Sequence, residues 1–138
     1  MATVKTAKRP ISPHLSHYRW GPAMLVSILH RATGDGMATV GALLMVWWLA
    51  ALAGGEAHYA AFAGWFTFAD GSLNILGYVI GVGLTLSLFQ HMASGVRHLF
   101  LDTGAGFELK ANRSGAVLTM VVSVLATIAF WAFITVGK

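Results

Sequence analysis

Residues 71–96 read GSLNILGYVIGVGLTLSLFQHMASGV, a run of 26 residues without Asp, Glu, Lys or Arg. At about 1.5 Å per residue, a helix of this length exceeds the roughly 30 Å hydrocarbon core of a bilayer. The stretch therefore reads as a transmembrane helix. Its one side chain that titrates near neutral pH is His91, the sixth residue from the end. An ionisable group at membrane depth marks a functional site by default. Imidazole is a common axial ligand of haem iron, and a neutral ring has a lone pair to donate, so His91 is a candidate haem ligand. The plainer alternative is a hydrogen bond between helices.

Working outward, residues 36–55 and 114–137 are also free of formal charge, over 20 and 24 residues. The chain is 57% hydrophobic and 10% charged, a balance that leaves too little polar surface for a water-soluble domain of 138 residues. Its mean hydropathy of +0.69 agrees. The expected fold is an all-α integral membrane protein, a single domain over residues 1–138 with transmembrane helices at about 23–53, 72–101 and 114–136. Gly54, Gly55, Asp70 and Gly71 punctuate the first loop, and 102-DTGAG-106 the second. Trp47, Trp48, Trp65 and Trp131 fall near one set of helix ends, as an interfacial aromatic belt requires. There are no cysteines, so neither iron-sulfur clusters nor zinc-thiolate sites reside in this chain.

Residues 1–21 carry Lys5, Lys8, Arg9 and Arg19 with Pro10 and Pro13, and no apolar run follows the basic start as in a signal peptide. They are expected to form a retained cytoplasmic arm at the membrane surface. Five basic residues lie in the first 31 positions, none in 32–96, three in 97–113 and one at Lys138. The excess places the N-terminus and second loop in the cytoplasm and the first loop and C-terminus outside. The pI of about 9.9 then reports topology and contact with anionic lipid. No interleaved basic and aromatic pattern argues for nucleic acid.

Within the second helix Gly77, Gly81, Leu84, Leu88, His91, Gly95 and His98 recur at steps of four and three, so they share one face. Gly77 and Gly81 are expected to serve ordinary helix packing, whereas Gly95, one turn from His91, can serve packing or leave room for a flat porphyrin. His91 and His98 are separated by about 10.5 Å along the axis, too far to share one iron. His30, near the start of the first helix, is expected to lie about two turns too shallow to be the other ligand. A second axial ligand therefore points to another polypeptide. On the first helix Ser27 and Arg31 share a face, flanked by His30. A hydroxyl and a guanidinium at the lipid boundary suit a quinone head group. An arginine on lipid phosphates beside a serine bonded to its own helix fits the same spacing.

Taken in order, 9-RPISPHL-15, 18-YRW-20, 27-SILHR-31, 91-HMASGVRH-98 and 102-DTG-104 resemble the C-type cytochrome b membrane-anchor subunits of succinate dehydrogenase, respiratory complex II. The resemblance covers nearly the whole chain. It implies that His91 is an axial ligand of haem b, shared with a D-type anchor subunit that supplies the other ligand. It also implies that Ser27 and Arg31 line a ubiquinone pocket, and that His30, Arg31 and His98, with Gly95, surround the haem and its propionates. The implied partners are that anchor, an iron-sulfur subunit, a flavoprotein subunit and membrane lipid. The chain itself would perform no hydride chemistry, acting as a non-flavin subunit of the enzyme in the tricarboxylic acid cycle and electron transport. Asp35 departs from the family pattern, one turn from Arg31 with which it can pair. The rival readings are a haem b anchor of a fumarate reductase or another quinone-linked oxidoreductase, and a non-redox membrane scaffold.

Overall fold

The computed structural model describes His14 and residues 18–137. Most of the expected N-terminal arm, and Lys138, lie outside the described residues. The chain forms α1 (Pro22–Gly36), a π-helical turn (Met37–Gly41), α2 (Ala42–Ala53), α3 (Glu56–Ala63), α4 (Ile75–Asp102) and α5 (Leu109–Val136). The segments from α1 to α2 run on without a break, so three helices are long and apolar enough to cross a membrane: Pro22–Ala53, Ile75–Asp102 and Leu109–Val136.

The element boundaries follow local chemistry. Pro22 sits in the first turn of α1, where its missing N–H costs nothing. The second span starts at Ile75 rather than 72, because the Asn74 side chain accepts from the Gly77 amide at 2.9 Å and caps the helix. Just before it Asp70 closes a turn by accepting from the Ser72 amide at 3.0 Å and the Ser72 hydroxyl at 2.7 Å, bonds that hold its carboxyl below the usual range. The third span starts at Leu109, five residues earlier than hydropathy suggests, so Lys110 and Arg113 lie in its first turns. A charge ends hydrocarbon burial but not a helix. The short helix α3 was not expected; it follows Gly55, whose φ of 86° turns the chain back.

The bundle is polar inside and apolar outside. Ile75 and Phe133 are 81% and 80% exposed, while Gln90, Ser94, Thr119, Ser123 and Thr127 are buried between helices. Lipid tails are as apolar as leucine, so close approach and interhelical hydrogen bonds hold such a bundle together. Ser94 and Thr127 each donate to the carbonyl four residues earlier, which keeps their hydroxyls satisfied without water. Two of the three glycines on the α4 stripe, Gly77 and Gly81, serve packing. A Cβ at Gly77 would strike the Phe66 carbonyl oxygen, and one at Gly81 would lie 2.9 Å from the Trp131 ring. At the end of the bundle away from the 103–108 loop, Trp47 stands edge-on to Phe62 and Trp65, with ring centroids 4.8 and 6.2 Å away, tying α2 to α3 and the loop after it.

Candidate functional site

The face of α4 that carries His91, Gly95 and His98 packs against α1, near the end of the bundle where the 103–108 loop lies. The His91 Nδ1 lies 3.0 Å from the His30 carbonyl oxygen. A carbonyl only accepts, so Nδ1 carries the hydrogen and Nε2 keeps its lone pair. The same Nδ1 is 3.4 Å from the Thr33 hydroxyl, which donates to the Leu29 carbonyl at 2.7 Å. Gly34 backs the ring: a Cβ there would sit 2.8 Å from His91 Cε1, a separation that real side chains do not show.

His30 stacks on the same ring. The two imidazole centroids are 3.9 Å apart with planes 11° from parallel. His30 Nδ1 lies 2.7 Å from the hydroxyl of fully buried Ser94. That hydroxyl has its one hydrogen on the Gln90 carbonyl at 2.7 Å, so it accepts and His30 donates. His98 completes the group edge-on to His30, with centroids 5.2 Å apart. Gly95 faces His30, where a Cβ would lie 3.9 Å from Cε1.

These contacts correct the expected depth of His30. It is level with His91, because His30 is the ninth residue of α1 from Pro22 and His91 the twelfth of α4 counted back from Asp102, at the same end of the bundle. Stacked face to face at 3.9 Å, the two rings leave no room for a metal ion between them. Asp35 does not pair with Arg31; among the described residues no ion pair joins them, and the Asp35 carbonyl instead accepts from Thr39 at 2.7 Å. Ser27 is half-buried and Arg31 exposed one turn on, and neither side chain is spent on a hydrogen bond among the described residues.

Residues 5–130 match the family of succinate dehydrogenase/fumarate reductase transmembrane subunits. The chain belongs to this family. A succinate dehydrogenase cytochrome b556 subunit of Paracoccus denitrificans is 36% identical over 137 residues, covering 96% of this chain and 100% of that protein. The same subunit of Rickettsia felis is 36% identical over 124 residues, covering 90% and 91% of the two chains. A mitochondrial cytochrome b560 subunit of Sus scrofa is 29% identical over 122 residues, covering 88% of this chain and 69% of the pig protein. The chain is thus a multi-pass cytochrome b membrane subunit of the succinate dehydrogenase type.

In this subunit the sequence singles out His30, His91, Gly95 and His98, and the fold brings all four to one place on the α1–α4 interface. Ser27 and Arg31 lie on the second and third turns of the α1 span. Sequence reasoning missed Gly34, Thr33 and Ser94. The spacing of Ser94 from His91 was a usable clue, but a serine three residues from a histidine is too common to stand out. Gln90 is also newly visible: its Oε1 accepts from Ser123 at 2.7 Å, while its buried Nε2 has no partner.

Proposed function

We propose that this subunit supplies one axial ligand of haem b through His91 and forms part of a ubiquinone-reduction site through Ser27 and Arg31. A D-type anchor subunit supplies the opposite ligand, and electrons arrive from succinate through a flavoprotein and an iron-sulfur subunit. The single observation that carries the reading is the His91 Nδ1 hydrogen bond to the His30 carbonyl at 3.0 Å. Ligating histidines typically donate their other ring N–H to a carbonyl or carboxylate, which fixes the tautomer and ring plane. Here that bond leaves Nε2 as the donor atom, and the bare backbone of Gly34 holds the ring where it is. The residues fit a haem.

When bound, haem b supplies a one-electron carrier beside the quinone. The chain's own residues do the rest. Thr33, Gly34, His30 and Ser94 hold His91 in one tautomer and plane. The Ser27 hydroxyl donates to a quinone carbonyl oxygen, and the Arg31 guanidinium places positive charge where the reduced head group develops negative charge. His98 and Arg31, both exposed, would pair with propionate carboxylates. The reading places the subunit in a bacterial cytoplasmic membrane rather than a mitochondrial inner membrane, since the bacterial relatives are the more similar.

The test is the visible and electron paramagnetic resonance spectrum of the assembled complex. His91→Ala is expected to abolish the low-spin six-coordinate signal, while His98→Ala retains it. An unchanged spectrum in the His91 variant overturns the ligand assignment.

A further inference from the structure

A second feature lies on the opposite face of α4, away from the histidines. Between α4 and α5 runs a groove of about 610 Å³, walled by apolar side chains such as Phe89, Val96, Leu118 and Val122. One charged residue lines it, Arg97, and no carboxylate does. Arg97 uses one of its five N–H donors on the Asn112 side-chain oxygen. Its remaining donors have no carboxylate to meet. Gly115 keeps the wall open beside it: a Cβ there would lie 3.6 Å from Arg97 Nε.

The shape restricts the occupant. The groove follows α4 for twelve residues from Leu101 to Phe89 and α5 for fifteen from Ala111 to Ala126, about 18 and 22 Å, the reach of one acyl chain and short of the roughly 30 Å core that a partner helix would line. Beyond Phe89 the helices close on each other: Phe89 meets Phe130 with centroids 6.3 Å apart, and Tyr78 meets Trp131 at 5.8 Å. The groove is therefore apolar and closed toward mid-membrane, and cationic at its loop end, where Arg97, Lys110 and Arg113 outnumber the carboxylates of Asp102 and Glu108. An uncharged head group leaves that cation uncompensated.

We propose that this groove is a binding site for an anionic phospholipid, with one acyl chain lying between α4 and α5 and the phosphate on Arg97. The site is independent of the haem and quinone assignments, because none of their residues lines it.

The test uses the whole assembled complex, exchanged into mixed micelles containing phosphatidylglycerol or phosphatidylcholine and weighed intact by native mass spectrometry. The wild-type complex is expected to retain phosphatidylglycerol over phosphatidylcholine by about fivefold more than Arg97→Gln does, the factor for one cation at the headgroup level. Arg97→Lys should keep the preference. Gly115→Leu, which fills the groove, should lose one bound lipid of either kind. Should Gly115→Leu fail to assemble, the Arg97 pair decides alone. Equal lipid retention in wild type and Arg97→Gln overturns the proposal. So does selective loss of quinone instead of phospholipid from the Arg97→Gln complex. A third contrary result is a disulfide from Val122→Cys, the only cysteine this chain would then have, to a cysteine of another subunit, since that puts protein in the groove.

Discussion

The imidazole of His30 lies face to face on that of His91, centroids 3.9 Å apart, and its own backbone carbonyl takes the His91 Nδ1 hydrogen. One residue therefore fixes both the plane and the tautomer of the other, by its ring and by its main chain. The His30 ring is in turn held by Ser94. A chain of three residues on two helices thus determines where the His91 lone pair points.

Gly34→Ala tests the steric half of this arrangement. The added methyl would lie 2.8 Å from His91 Cε1, so the ring or helix α1 must shift, at a cost of about 1–3 kcal/mol. Haem content of the purified complex should fall, or its low-spin signal broaden. Gly36→Ala, with nothing within 4 Å of the new methyl, should leave both unchanged. Identical behaviour of the two variants would show that Gly34 does not hold the ring.

Ser94→Ala tests the polar half. It leaves the His30 N–H facing a methyl group in a fully buried position, a loss of about 1 kcal/mol. Haem should still bind, since His91 is intact, but the temperature at which the Soret band bleaches should drop and the g-anisotropy of the oxidised haem should change. A spectrum and melting curve that match wild type would remove Ser94 from the positioning chain.

Ser27→Ala and Arg31→Leu address the quinone site. Loss of one hydrogen bond worth about 1–3 kcal/mol should lower succinate-to-quinone activity by about tenfold in the serine variant, and by more in the arginine variant, which also loses a charge. Reduction of an artificial dye by the soluble subunits should persist in both variants, as should haem content in Ser27→Ala. Full quinone activity in Ser27→Ala would move the quinone elsewhere, and parallel loss of dye reduction would indicate failed assembly.

Topology gives a fourth check. Three spans with five basic residues in the first 31 positions place the C-terminus outside. A phosphatase active only outside the cytoplasm should be active when fused after Gly137, and β-galactosidase fused there should not be. The reverse pattern would contradict both the orientation and the placement of Ser27 beside the soluble subunits.

Much of this was legible in one dimension. Runs free of charge longer than a bilayer core can only be helices, because no water is available there to satisfy an open backbone. Hydropathy alone therefore yields the three spans. It also yields His91, since an imidazole amid such a run is conspicuous. The boundaries were less legible where they depend on hydrogen bonds: Asn74 delays the start of α4, and Leu109 begins α5 among residues whose charge says interface while their backbone is already helical. Helix α3 has no membrane-length run to announce it, and the π-helical turn at Met37–Gly41 leaves no mark in hydropathy.

The sequence by itself determined the membrane class, the number of spans and the residues worth suspecting, because each of those depends on composition within a single helix. Only the tertiary structure decided that His30 stacks on His91, that Ser94 and Gly34 hold the pair, and that Arg97 is the one charged residue lining an apolar groove between α4 and α5. Those relationships depend on the depth, tilt and rotation of one helix against another. Such quantities are set by which small residues allow close approach and which buried hydroxyls find partners across the interface, and no periodicity along a single chain encodes them.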